Sequence, residues 1–220
     1  MNNLHGILLV IVSMAFFTLE DMFIKQLSGT VPVGQILLVL GIGCSVIFGI
    51  MARMQRVSLF APEAWKMKPV MRAGTEVLSA MAFATALARL DISTVAAVFQ
   101  ATPLVITMGA ALFLGEDVGW RRWLAICTGF AGVLLIIRPG LDGFEPAALL
   151  VVIAVLGVAT RDLLTRTMDS AVASSVVSFQ AYAALILAGG LLLAFTPGEL
   201  RALNSVEWWM VLGGCVFGVL

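Results

Sequence analysis

The sequence predicts an all-α fold, a polytopic transmembrane helical bundle, and three observations predict it. Of the 220 residues, 61% are hydrophobic and only 12% charged, and the mean hydropathy is +1.07. A soluble domain of this length is near half apolar and about a quarter charged. Too little polar residue is left to make an aqueous surface, so the apolar excess faces lipid. The second observation is that the apolar residues come in runs of about 20, the length of one helical crossing. The third is that the links between runs are short, which makes successive helices antiparallel neighbours. A transmembrane barrel is excluded, because its strands are about ten residues long with alternating polarity. The net charge is formally zero and the pI about 6.6, so no basic patch points to nucleic acid.

Eight crossings follow in order: Leu4–Gln26, Val33–Ala52, Val70–Ala88, Ser93–Leu114, Trp123–Ile137, Ala147–Leu164, Val172–Phe195 and Glu207–Leu220. The first lacks the basic leader and small-residue cleavage site of a signal peptide, and reads as a retained span. The long link Arg53–Pro69 carries Arg53, Arg56, Lys66 and Lys68. Span three has a small-residue seam at Ala80, Ala84 and Ala88, and span five is thinned by Gly129 and Gly132, features that let helices approach closely in lipid. Trp208 and Trp209 open span eight as interface anchors. Cys44, Cys127 and Cys215 each sit alone in an apolar run and read as buried small hydrophobes. That last span, about 14 residues, is short for a crossing, so the reading expects a C-terminally truncated or fragmentary version of a longer protein.

Lys and Arg set the orientation. With the N-terminus cytoplasmic, the inner ends hold Arg53, Arg56, Lys66, Lys68, Arg121, Arg122, Arg161 and Arg166, against Lys25, Arg89, Arg138 and Arg201 outside. Sliding the chain by 141 places Asp21 on Asp162 and Lys25 on Arg166, and brings span two onto span seven and span three onto span eight. Five spans per copy is odd, so the second copy would lie inverted in the membrane, a device of secondary transporters. The predicted division is 1–140 for a first five-helix repeat and 141–220 for an incomplete second one.

Several stretches carry a resemblance. They are Ala96-Ala97-Val98-Phe99-Gln100-Ala101-Thr102-Pro103-Leu104, then Phe113-Leu114-Gly115-Glu116, Trp120-Arg121-Arg122-Trp123, Gly129-Phe130-Ala131-Gly132-Val133 and Arg138-Pro139-Gly140. With Asp21, Lys25 and Arg72, they resemble the drug/metabolite transporter superfamily and its EamA-type members. The resemblance implies a ten-helix inverted-repeat fold working by alternating access, of which about eight spans are present here. It also implies substrates among amino acids, vitamins and cofactor-like metabolites, in the inner (cytoplasmic) membrane.

A charge inside the bilayer costs at least about 2.5–3.5 kcal/mol on insertion scales, so intramembrane charges face the bundle interior. Asp21 and Lys25, Arg72 and Glu76, and Asp162 and Arg166 are each four residues apart on one helix face, and each can pair. One reading is neutralisation at helix ends, with Lys25 and Arg166 snorkelling to the headgroups. The other is a set of gate contacts, Lys25, Arg161, Asp162 and Arg166, in which Asp21 and Asp162 stand at opposite mouths and engage alternately. Glu20 has no basic residue at i±4 and reads either as a proton site or substrate-cation ligand, or as the partner of a cation across the bundle such as Arg72. Gln100 and Gln180 offer uncharged hydrogen bonding at depth. Pro103 bends span four and frees the carbonyl near Phe99, either to bind a donor or as a packing kink. Glu116 reads as a loop acid pairing with Arg121 or Arg122.

Function classes narrow accordingly. There is no Gly-x-x-x-x-Gly-Lys-Ser/Thr loop for nucleotide-driven pumping, no His-Glu-x-x-His, and the one histidine, His5, stands at the extreme N-terminus, so serines such as Ser13 and Ser79 lack a plausible base. No enzyme activity, metal or cofactor is expected. The expectation is a secondary transporter of a small polar solute in the lipid bilayer, coupled to a proton or working by exchange, with a homodimer as one candidate assembly; the alternative is a non-transporting remnant or membrane subunit.

Overall fold

The computed structural model describes residues 3–140, 144–168, 172–196 and 200–219. The link between the two expected repeats, 141–143, and the last residue of span eight, Leu220, lie outside the described residues. Each apolar run is helical: α1 Asn3–Leu27, α2 Val33–Met54, α3 Met67–Arg89, α4 Ile92–Phe99, α5 Thr102–Phe113, α6 Trp120–Ile137, α7 Ala148–Arg166, α8 Ser174–Phe195 and α9 Ser205–Val219. A 3-10 turn, Pro62–Trp65, interrupts the long α2–α3 link.

Among the described residues, six helices are long and apolar enough to cross a membrane: α1, α2, α4 with α5, α6, α7 and α8. α3 is as long as these at 23 residues but carries Lys68, Arg72, Glu76 and Arg89. Arg72 and Glu76 face α7 inside the bundle, while Lys68 and Arg89 lie exposed at the two ends of the helix. α9 is a shorter apolar helix of 15 residues.

Span four differs from its expectation. It is two helices, α4 and α5, separated at Gln100–Ala101 and not a single bent rod. Pro103 falls in the first turn of α5, where its missing N–H takes no bond from the ladder. The Leu114-Gly115-Glu116 stop has a plain cause. Gly115 adopts a left-handed φ of 69°, and the Glu116 N–H turns back to the Ala110 carbonyl, 3.2 Å away. α6 begins at Trp120, one turn before the expected start.

Small residues decide which helices meet. At the α2–α8 crossing a Cβ on Gly34 would stand 2.8 Å from the Gly189 carbonyl oxygen, and one on Gly41 2.9 Å from the Tyr182 carbonyl oxygen. Gly157 of α7 lies directly over Ser79 of α3, and Gly213 of α9 lies under the Phe23 ring of α1. Of the expected packing glycines in α6, Gly129 meets the Leu104 side chain, while Gly132 faces open space. Cys44 and Cys215 are buried as expected, but Cys127 is exposed on α6; all three are free thiols. α1 shows lipid an unbroken apolar stretch from Ile7 to Val12.

The central six helices pair in an ordered way. α2 packs on α8, α3 on α7, α1 on α9, α3 on α8 and α2 on α9, the most extensive pairings among them. Exchanging α1 with α7, α2 with α8 and α3 with α9 maps this set onto itself.

Candidate functional site

The helix ends gather polar residues at two opposite faces. At one face, the α1–α2 turn clamps the start of α9. Gln35 donates to the Arg201 carbonyl at 2.7 Å and accepts from the Arg201 N–H at 3.2 Å. Buried Glu207 accepts from Thr30 at 2.8 Å and also pairs with Arg201. Asn204 and Glu207 cap each other reciprocally, each backbone N–H donating to the other's side chain at 2.9 Å. A polar cavity of about 270 Å³ gathers Arg89, Asp91, Thr94 and Glu145 from the ends of α3, α4 and α7. At the other face, Lys68 donates to the Thr167 carbonyl at 2.9 Å, Ser175 to Gln55 at 2.7 Å, and Gln180 to the Ala64 carbonyl at 2.7 Å. Gln180 therefore holds α8 to the 3-10 turn and lines neither cavity described here.

The α3–α7 crossing is an ion network. Arg161 stands 3.2 Å from Glu76 and 2.9 Å from Asp162. Arg72 donates to the Thr165 hydroxyl at 3.0 Å and reaches Glu76 at 3.9 Å, leaving one guanidinium nitrogen buried without a partner. Of the three i,i+4 pairs expected from the sequence, only Arg72–Glu76 forms. Lys25 instead donates to the Leu90 carbonyl at 2.6 Å, where the end of α3 brings an unfilled acceptor within reach of its long stem. Arg166 turns outward to Glu116 at 3.4 Å, because Arg161 already neutralises Asp162. Glu116 thus pairs with Arg166 and not with Arg121 or Arg122, and Arg121 lies over the Trp120 ring.

On α1, Glu20 is 8% exposed and points at α9 and α8. A Cβ on Gly218 would stand 2.9 Å from one of its carboxylate oxygens and 2.6 Å from the Tyr182 hydroxyl, which itself donates to the Gly218 carbonyl at 2.5 Å. Arg72 does not reach it, being engaged across the bundle with Thr165 and Glu76. Among the described residues, which include every Lys and Arg, none ion-pairs with Glu20 or Asp21.

Asp21, next on the helix, turns into a different space. A cavity of about 180 Å³ opens between α1, α3 and α4, walled by Met14 and Asp21, Phe83 and Leu87, and Phe99 and Gln100. Phe83 and Phe99 meet edge to face with ring centres 5.0 Å apart. Gln100 closes α4, its N–H still bonded to the Ala96 carbonyl at 3.1 Å, and it lines the cavity from there. The carbonyl expected to be open near Pro103 is closed: the Thr102 hydroxyl donates to the Phe99 oxygen at 2.6 Å. The structure thus joins Asp21 and Gln100, 79 positions apart, in one cavity. It places Arg72, Glu76, Arg161 and Asp162 in a second group, with Lys25, Arg166, Glu116 and Gln180 on helix ends. Phe83 and Phe99 were not legible as site residues, since an aromatic in an apolar run carries no signal that separates cavity wall from lipid face. Among the described residues no group of three or more metal-ligating side chains comes together.

A helical bundle with six helices long and apolar enough to cross a membrane defines a polytopic membrane protein. Residues 4–138 match the model of the EamA-like transporter family, and the chain belongs to that family. It is 38% identical over 91 residues to a riboflavin transporter of Rhizobium johnstonii, covering 41% of this chain and 30% of that protein. It is 32% identical over 124 residues to a riboflavin transporter of Vibrio cholerae, covering 56% and 41%. An S-adenosylmethionine uptake transporter of Rickettsia bellii is 28% identical over 97 residues, 44% of this chain and 33% of that protein. The matched part spans about a third of the length of these curated relatives.

Proposed function

We propose that this protein is a secondary transporter that moves a small polar organic solute, of the vitamin or cofactor-like kind, across the cytoplasmic membrane by alternating access. The observation that carries the reading is the cavity between α1, α3 and α4, with Asp21 and Gln100 set in apolar walls, in a chain of a transporter family. The riboflavin and S-adenosylmethionine transporters among its relatives narrow the solute to that size and polarity. The N-terminus is cytoplasmic in this proposal, from the excess of Lys and Arg at one face.

Two inverted five-helix repeats supply the moving parts, the first over 1–140 and the second begun at 141. The exchange symmetry of the helix pairings supports this, as does its register. A shift of 141 carries the α3–α7 contacts Glu76–Arg161 and Arg72–Thr165 onto positions 217–20 and 213–24, and Phe217 and Gly213 do meet α1 within about one turn of those positions, at Phe16 and Phe23. The Glu207–Arg201–Thr30 clamp and the Arg161–Glu76–Asp162 network then close opposite mouths and open in alternation. Transport proceeds without chemical change of the solute, and Glu20 is the candidate for proton coupling.

The test is uptake of radiolabelled riboflavin and S-adenosylmethionine into liposomes containing the purified protein. Saturable uptake of either, above protein-free liposomes and abolished by excess unlabelled solute, is the expected result. No saturable uptake of these or of a panel of other vitamins, nucleosides and amino acids overturns the proposal.

A further inference from the structure

We propose that the cavity between α1, α3 and α4 binds the cationic head of an organic substrate, with Asp21 as counter-charge and Phe83 and Phe99 as the aromatic wall. The proposal rests on the transport reading and names the substrate class for its site.

The unbalanced charge lies on α1. Glu20 and Asp21 are consecutive acids, and no Lys or Arg stands within ion-pairing distance of either. Lys25 is the nearest basic residue along the helix, and its ammonium is committed to the Leu90 carbonyl. A carboxylate without a counter-ion at membrane depth is costly, so a ligand bringing positive charge completes the site.

The second copy of the same position shows what completion looks like. Under the shift of 141, Asp21 falls on Asp162 and Glu20 on Arg161. Asp162 has its cation built in, the Arg161 guanidinium at 2.9 Å, and Glu76 shares that charge at 3.2 Å. On α1 the built-in cation is replaced by a second acid, and in the crossing that mirrors α3–α7 the acid Glu76 is replaced by Phe217. The α7 site is filled from within; the α1 site is left for something from outside.

The walls fit the same class. Phe83 and Phe99 line the cavity that Asp21 enters, and aromatic rings attract a desolvated organic cation through their quadrupole. Gln100 adds an amide that accepts from an N–H or O–H beside the charge. About 180 Å³ accommodates a small alkylammonium or sulfonium head, with the rest of the solute extending out of the recess. An anionic head is disfavoured by both neighbouring acids.

The test uses two probes of equal shape, choline and its uncharged isostere 3,3-dimethylbutan-1-ol, titrated calorimetrically into the protein in lipid nanodiscs. Choline is expected to bind at least tenfold more tightly. Asp21→Asn removes that preference, while Asp162→Asn keeps it. Phe99→Leu, which preserves an apolar wall, lowers the preference by about 2- to 30-fold, the worth of one cation–aromatic contact. Equal binding of the two probes overturns the proposal, and so does a preference that survives both Asp21→Asn and Phe99→Leu. Solute uptake by the same preparation separates the two readings. Uptake without a cation preference removes this site and leaves transport standing; a cation preference without uptake of any solute keeps the site and removes the transport reading.

Discussion

Gly189 and Gly190 are adjacent on α8, and the structure predicts opposite outcomes for the same change at each. A Cβ at Gly189 would lie 2.5 Å from the Gly34 carbonyl oxygen, 2.6 Å from the Leu38 nitrogen and 2.9 Å from the Leu38 Cβ, whereas one at Gly190 meets nothing within 4 Å. Ordinary contact begins at 3.4 Å, so the Gly189 methyl is about 0.9 Å too close to main-chain atoms that no rotamer change can move. The two helices must separate at their closest crossing. Overpacking of this kind costs about 1–3 kcal/mol, partly offset by the roughly 0.5–1 kcal/mol that Ala gains over Gly in a helix. Gly189→Ala is therefore expected to destabilise the protein by about 1–2 kcal/mol, and Gly190→Ala to leave it unchanged or stabilise it by up to about 1 kcal/mol. Equilibrium unfolding in mixed micelles of rising SDS fraction, followed by tryptophan fluorescence, measures both. Equal midpoints for the two variants, or a less stable Gly190→Ala, would refute the crossing geometry. Under the proposed inverted repeat, in which α2 and α8 exchange places, Gly189→Ala is also expected to slow any solute uptake more than its loss of stability explains.

Two further predictions concern the ion network and the broken span. Arg161→Gln leaves Glu76 and Asp162 without their shared cation and is expected to destabilise by about 2–4 kcal/mol, with Glu76→Gln added in the same chain recovering part of that loss; additive losses in this double-mutant cycle would show that the 3.2 Å contact carries no coupling. Thr102→Val removes the hydroxyl that satisfies the Phe99 carbonyl and is expected to cost about 1–3 kcal/mol, while Thr107→Val, whose hydroxyl bonds an in-helix carbonyl, costs less than about 0.5 kcal/mol. Equal effects at the two threonines, measured by thermal unfolding in detergent, would deny the break its special bond.

The sequence by itself determined the class of fold and most of its elements. Apolar runs of crossing length leave a chain no alternative to helices, because an unsatisfied peptide group has no water to turn to in lipid. The same logic located the intramembrane charges, since polar residues stand out against an apolar background, and it singled out Asp21 and Gln100 as candidates. The partners of those charges were decided by the tertiary structure. Spacing by four residues says that Asp21 can reach Lys25, but not that the end of α3 offers Lys25 a free carbonyl first. Arg161 has no i+4 acid in the sequence, yet holds the centre of the network because Glu76 arrives from another helix. The break at Gln100–Ala101 was hidden for a related reason: Pro103 announces a disturbance, and only the fold shows that Thr102 absorbs it. Gly189 and Gly190 make the distinction sharpest. They are identical residues in one apolar run, and which of them carries the α2–α8 crossing follows from the rotation of two packed helices, a property that belongs to the pair and is written in neither helix alone.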